Sequence, residues 1–130
     1  MCTQKTKARK YQLTFNNPVD HGFTHEVIRT TLASFPGIQY WCMCDEVGEQ
    51  GTPHTHLYLY SPNAILFTTL QNRFMGAHIE MAKGSHQANR DYIRKEGRWL
   101  DDGKHETNLP ETFEESGDLP PERDKRQSVS

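Results

Sequence analysis

Polar and apolar residues alternate from Tyr11 to Asn16, and Asn17-Pro18 closes the run, which predicts a strand ending in a turn. Tyr11, Leu13 and Phe15 would share one face, and Gln12, Thr14 and Asn16 the other. Residues 24–34 read as a helix: Thr24 can cap, Val27, Ile28 and Leu32 recur at helical spacing, and Phe35-Pro-Gly37 ends the run. Ile38 to Glu46 reads as a strand. After a turn-rich connection over 47–53, a second strand follows in His54-Thr-His-Leu-Tyr-Leu-Tyr60, making an antiparallel hairpin. Asn63 can cap a helix over about 64–74, with Ile65, Leu66, Leu70 and Phe74 as its apolar stripe and Gly76 as its end. Ala77 to Ala82 alternates as a short strand. Ser85 caps a third helix over 86–95, and Arg98-Trp-Leu100 reads as a last short strand. From Asp101 onward Pro, Glu, Asp and Ser dominate without periodicity, as in a linker or disordered tail. The expected organisation is thus a flexible basic arm over 1–10, a folded unit over 11–100 and an acidic tail over 101–130.

Short antiparallel strands with helices gathered on one side make an α+β sandwich. At 130 residues the chain suits one domain with a modest core. Its net charge of −2 hides an asymmetry: residues 1–100 hold 11 Lys+Arg against 8 Asp+Glu, and residues 101–130 hold 4 against 9. The body is therefore mildly basic and suits an anionic partner. No apolar run reaches the roughly 18 residues of a membrane span, so a soluble intracellular protein with no membrane partner is expected. Cys42 and Cys44 are neighbours on one strand face and poorly placed to bridge, so Cys2, Cys42 and Cys44 are expected to stay reduced.

The chemistry begins with His54 and His56. Two residues apart on a strand, they leave the same face about 7 Å apart, either as two half-exposed histidines beside a turn or as half of a divalent-metal site. Glu46 ends the strand that pairs with theirs, and opposed side chains on one face of a hairpin sit about 5 Å apart. Glu46, His54 and His56 can then converge as two nitrogens and a carboxylate, leaving positions open on a Mn²⁺- or Mg²⁺-like ion. A rival zinc site would join Cys42 and Cys44 to the two histidines. In the third helix Tyr92 and Lys95 are three apart and share a face. Alone they are a packed aromatic and a solvated charge; beside a metal, a tyrosine can attack a polarised phosphodiester. Its ordinary pKa of about 10 makes a neighbouring cation useful.

Four segments occur in order: Leu13-Thr-Phe-Asn-Asn-Pro18; Glu46 with Thr52-Pro-His-Thr-His-Leu57; His78-Ile-Glu-Met-Ala-Lys-Gly84; and Asp91-Tyr-Ile-Arg-Lys-Glu-Gly97. Together they resemble the replication initiator (Rep) proteins of circular single-stranded DNA viruses, especially circovirus-like ones, whose N-terminal domain is an HUH endonuclease. The resemblance implies a ferredoxin-like fold with a five-stranded antiparallel sheet and helices mainly on one side. It implies metal-dependent nicking of a single-stranded origin stem-loop, with Glu46, His54 and His56 holding Mn²⁺ or Mg²⁺ and Tyr92 as nucleophile. Tyr92 would keep the 5′ end as a phosphotyrosine and free a 3′-OH for rolling-circle synthesis, and reversal would rejoin the strand. Lys95 would position or neutralise the reacting groups. Such relatives carry glutamine where this chain has His56, a change that bears on metal preference. They also continue into a superfamily-3 helicase and work in the host nucleus, so a C-terminal helicase domain is expected in the full-length protein.

Single-stranded DNA would lie along a basic groove with stacking or polar contacts. Gln12, Thr14 and Asn16 supply a polar sheet face for this. Lys83, Arg90, Arg94 and Arg98 surround the Tyr92 helix, Arg9 and Lys10 precede the first strand, and His78 and Glu80 share a face near the site. The competing class is a non-catalytic single-stranded nucleic-acid-binding module, which predicts exposed aromatics on central strands.

Overall fold

The computed structural model describes residues 6–48, 51–95 and 108–121. The chain runs through β1 (Lys7–Asn16), α1 (His25–Ala33), β2 (Tyr40–Val47), β3 (Pro53–Leu66), α2 (Phe67–Arg73), β4 (His78–Met81), α3 (His86–Arg94) and β5 (Asn108–Ser116). The strands form one five-stranded antiparallel sheet in the order β4-β1-β3-β2-β5. The first six elements give the ferredoxin-like βαββαβ pattern, to which α3 and β5 are added.

Alternation decides which face is covered by what. Tyr11, Leu13 and Phe15 of β1, Met43 of β2 and Leu57 and Leu59 of β3 are buried with Ile28 and Leu32 of α1 and Leu70 and Phe74 of α2. On the opposite face Tyr40, Cys42, Cys44 and Tyr58 are buried against Ile93 of α3. Two helices thus pack on one face and the third on the other. The expected caps form on α1 and α3: Thr24 Oγ1 accepts from the Val27 amide at 3.2 Å, and Ser85 Oγ from the Ala88 amide at 2.9 Å. Val27, expected in the α1 stripe, is exposed instead.

Three expectations are corrected. Residues 64–66 are strand, not helix, and Asn63 caps nothing: β3 continues to Leu66 opposite Lys7 and Ala8, and the Tyr11 hydroxyl donates to the Ile65 carbonyl at 2.6 Å. This follows from the second correction. The basic arm is already strand from Lys7, so it offers residues 65–66 backbone partners that outweigh their helical spacing. The third is β5, formed by residues 108–116 where a linker or disordered tail was expected. Its anchors are ionic. Glu114 accepts from Arg29 and meets His25, while Glu115 accepts from Arg90 and from the Tyr40 hydroxyl. A bulged edge strand carrying Pro110 and acidic residues resists further strand addition. Beyond it Gly117 turns at φ +87, where a Cβ would lie 2.2 Å from the Gln39 carbonyl. The strand expected over 98–100 and the helix stop at Gly97 lie outside the described residues.

Candidate metal and tyrosine centre

The β2–β3 hairpin sets Glu46 directly opposite His54 and Cys44 opposite His56. Its turn is closed by the Gly48 amide on the Thr52 carbonyl, 2.8 Å, and the Gly51 amide on the Gly48 carbonyl, 2.9 Å. On the other side β1 sets Thr14 opposite His56 and Asn16 opposite His54. The histidine strand is thus the middle of the sheet and is clamped along both edges. The expected Glu46–His54–His56 cluster is brought together on the α3 face. Glu46 Oε2 lies 3.2 Å from His56 Nε2, and the two imidazole rings are 6.1 Å apart. Thr14 Oγ1 shares a 3.2 Å hydrogen bond with His56 Nδ1, which turns the Nε2 edge toward Glu46.

Glu46 Oε1, His54 Nδ1 and His56 Nε2 are buried polar atoms; the first has the Lys95 ammonium and the third Glu46 Oε2, each at 3.2 Å, while His54 Nδ1 has no hydrogen-bond partner among the described residues. A buried polar atom left unpartnered is rare in native proteins because it costs about 1–3 kcal/mol. One of the three atoms comes from each expected ligand, and two nitrogens with a carboxylate suit a divalent cation, so the donor set fits a metal. The site is not drawn tight: among the described residues no three His, Cys, Asp or Glu side chains stand in a finished metal cluster. Burial alone would raise the Glu46 pKa, but hydrogen bonding and charge from His56, with Lys95, hold it down to about 2. The carboxylate is therefore ionised at any working pH.

Lys95 corrects a detail of the sequence reading. It does not lie on the helix face with Tyr92 but caps α3 in the left-handed conformation, φ +58 and ψ +45. The cap folds its side chain back into the protein, 2% exposed, so that Nζ donates to the Tyr92 carbonyl at 3.0 Å and pairs with Glu46 Oε1 at 3.2 Å. Nζ also stands 3.9 Å from the centroid of the Tyr92 ring. The Tyr92 ring meets His56 edge-on at 6.0 Å. Burial, then the charges of Glu46 and Glu80, push the phenol above its usual pKa. As it stands the tyrosine is protonated, and ionising it requires additional positive charge.

The zinc alternative finds little support in how the thiols are placed. Both thiols are buried, and burial pushes the Cys42 thiol up to about 12 and also raises Cys44. Cys44 points instead to Asn108 and Leu109 of β5, each at 3.4 Å.

The expected DNA contacts scatter. Asn16 and Lys83 are exposed. Gln12 donates to Asn89 Oδ1 at 2.6 Å and Thr14 serves His56. Arg90 bonds Glu115, and Arg90 and Arg94 both stack on Phe113, 5.4 and 4.7 Å from its centroid, gripping β5. His78 and Glu80 pair at 2.6 Å at the rim. Arg98 lies outside the described residues. Asn89 was not singled out from the sequence. It is buried in α3 and also donates to the Lys83 and Ser85 carbonyls, 2.9 and 2.8 Å. Its signal was the spacing His86, Asn89, Ile93, one buried helical stripe.

The sequence profile of viral replication proteins (Viral_Rep) matches residues 8–96, more than half of the chain. The chain belongs to this family. Replication-associated proteins of circoviruses are similar to it: that of Pigeon circovirus is 33% identical over 97 residues, covering 75% of this chain. That of Beak and feather disease virus is 37% identical over 90 residues, and that of Canary circovirus 33% over 90, each covering 68% of this chain. The chain spans 29% of the length of each of these relatives. The matched interval contains Glu46, His54, His56, Tyr92 and Lys95, and β5 lies beyond it. Among the described residues no helix is long and apolar enough to cross a membrane.

Proposed function

We propose that this chain nicks and rejoins single-stranded DNA at a viral replication origin through a covalent 5′-phosphotyrosine. The observation that carries the reading is the meeting of the buried polar atoms of Glu46, His54 and His56, with His54 Nδ1 unpartnered among the described residues, beside Tyr92 and Lys95 on one face. Glu46, His54 and His56 would hold Mn²⁺ or Mg²⁺. When bound, the ion supplies Lewis-acid polarisation of the scissile phosphate and positive charge that favours the phenolate.

The chain's own groups do the rest. Tyr92 loses its phenol proton and its oxygen forms a bond to the scissile phosphorus. The P–O3′ bond breaks, and the 3′-oxygen leaves with the bonding pair and takes up a proton as a free 3′-OH. The 5′-phosphate stays on Tyr92, and attack by a 3′-OH reverses the step. His56 holds the tyrosine ring edge-on, and Lys95 keeps Glu46 anionic and offsets the charge that builds on the phosphate. In the full-length protein a C-terminal helicase domain would deliver the strand, in the host nucleus.

The test is incubation of labelled single-stranded origin-like and randomised oligonucleotides with Mn²⁺, beside Tyr92→Phe and a chelator control. A metal-dependent, SDS-resistant adduct absent from Tyr92→Phe is expected. Tight binding with no cleavage and no adduct across the pool would favour a non-catalytic binding module. On β1 the fold does not offer that module its stacking aromatics, since Tyr11 and Phe15 are buried in the core.

A further inference from the structure

The face that carries His54 and His56 continues along β3 to Tyr58 and Tyr60 by the same two-residue repeat. Beyond the metal and tyrosine centre it opens into a cavity of about 610 Å³, within the range of ligand sites. Its walls include Arg9, Lys10, Tyr60, Pro62, Ala82 and His86. No acidic side chain lines it among the described residues. Arg9 and Lys10 are held there by neutral carbonyls: Arg9 Nε donates to Pro62 at 2.7 Å, and Lys10 Nζ donates to Gly84. The aromatic wall is braced. Tyr58 and His86 share a buried 2.7 Å hydrogen bond, and the Tyr60 ring stands edge-on to His86 at 4.5 Å.

Two fixed cations beside a braced ring match the two parts of a nucleotide, a phosphate and a base that stacks. We infer that this cavity is a subsite for one flanking nucleotide of the single strand held at Tyr92, with the phosphate on Arg9 and Lys10 and the base on Tyr60. The inference rests on the proposed function and extends it to specificity. Tyr60 is four strand residues from His56, about 13 Å. At about 3.4 Å per stacked nucleotide, and more when the strand is drawn out, the captured nucleotide lies two to four positions from the scissile bond.

The experiment measures binding in the Tyr92→Phe background by fluorescence anisotropy. The oligonucleotide is selected from the pool by affinity, so a failure to nick removes the proposed function without touching this test. An abasic site is walked along it. One position is expected to weaken binding about tenfold, with the penalty vanishing in Tyr60→Leu and returning in Tyr60→Phe. Arg9→Gln, at an exposed position where folding is not at stake, is expected to lower the slope of log K on log salt by about one. A walk in which no penalty depends on residue 60, or an unchanged salt slope, overturns the inference. So does a cavity that binds a free deoxynucleoside monophosphate, followed by chemical-shift changes at Tyr60, while the walk stays silent.

Discussion

Removing the Lys95 side chain separates two effects that the structure combines at one residue. The ammonium is 2% exposed and pairs with a Glu46 carboxylate that is 17% exposed. Deleting one partner of a buried pair costs about 3–5 kcal/mol. Glu46 keeps some access to water and retains His56 at 3.2 Å, which places the loss at the low end, about 3 kcal/mol. The backbone acts in the opposite direction. At φ +58 an L-residue bears roughly 1 kcal/mol that glycine does not. Lys95→Ala should therefore lose about 3 kcal/mol and Lys95→Gly about 2, although glycine is ordinarily the more destabilising residue. Urea unfolding followed by circular dichroism reads both. With a slope of about 2 kcal/mol per molar, the midpoints fall by about 1.5 M and 1 M. Glycine no better than alanine would refute the left-handed cap, and a loss below about 0.5 kcal/mol in both would refute the buried pair.

Other substitutions probe the shell around the centre. A Cβ on Gly48 would lie 2.9 Å from His54 Nε2, and the ring can turn away, so Gly48→Ala should leave stability nearly unchanged while weakening Mn²⁺ binding by calorimetry about tenfold. Thr14→Val removes the 3.2 Å hydrogen bond that orients His56, and Mn²⁺ affinity should fall about 10-fold; an unchanged affinity would show that Thr14 does not set that ring. His25 bridges Asp45 and Glu114 at 2.7 and 2.6 Å, and its pKa is raised, chiefly by the Asp45 hydrogen bond against an opposing burial cost. A raised folded pKa means the stabilisation is complete below the ordinary value near 6.5 and is lost as pH climbs through the folded value. The stability advantage over His25→Gln should thus shrink by about 1–2 kcal/mol between pH 5.5 and 8.5, and a pH-independent difference would show that folding leaves the His25 pKa unshifted.

The parts legible in the sequence were those fixed by local spacing. The alternation of Tyr11, Leu13 and Phe15 and of His54 and His56, the caps Thr24 and Ser85, and the hairpin that opposes Glu46 to His54 all depend on neighbours within a few residues. What was not legible depends on distant partners. Leu66 has helical spacing with Leu70, but Lys7 offers it a strand. Glu114 and Glu115 look like linker acids until Arg29, His25 and Arg90 are brought beside them. Lys95 shares a helical face with Tyr92 only if the helix continues; the chain instead turns left-handed there, which no local residue announces.

The placement of α3 links the fold to the chemistry. By packing on the face opposite α1 and α2, with Ile93 seated on Cys42, Cys44 and Tyr58, it covers the β2–β3 half of that face and half-buries Tyr92. Gln12 and Asn89 tie the start of the helix to β1, while Arg90, Arg94 and the Asn108 amide on the Arg94 carbonyl tie its end to β5. A helix fixed at both ends holds its tyrosine in one place, and the dryness that raises the phenol pKa also strengthens any cation set beside it. Under the proposed function, the same dryness would tie reactivity to the presence of both metal and strand. Loosening α3 from β5 by Arg90→Met should therefore bring Tyr92 closer to water and its ordinary pKa, while reducing its covalent capture of DNA. The phenol pKa read by ultraviolet titration and the adduct yield should then fall together. A lowered pKa with an equal or greater yield would show that a dry, fixed tyrosine is not what the helix provides.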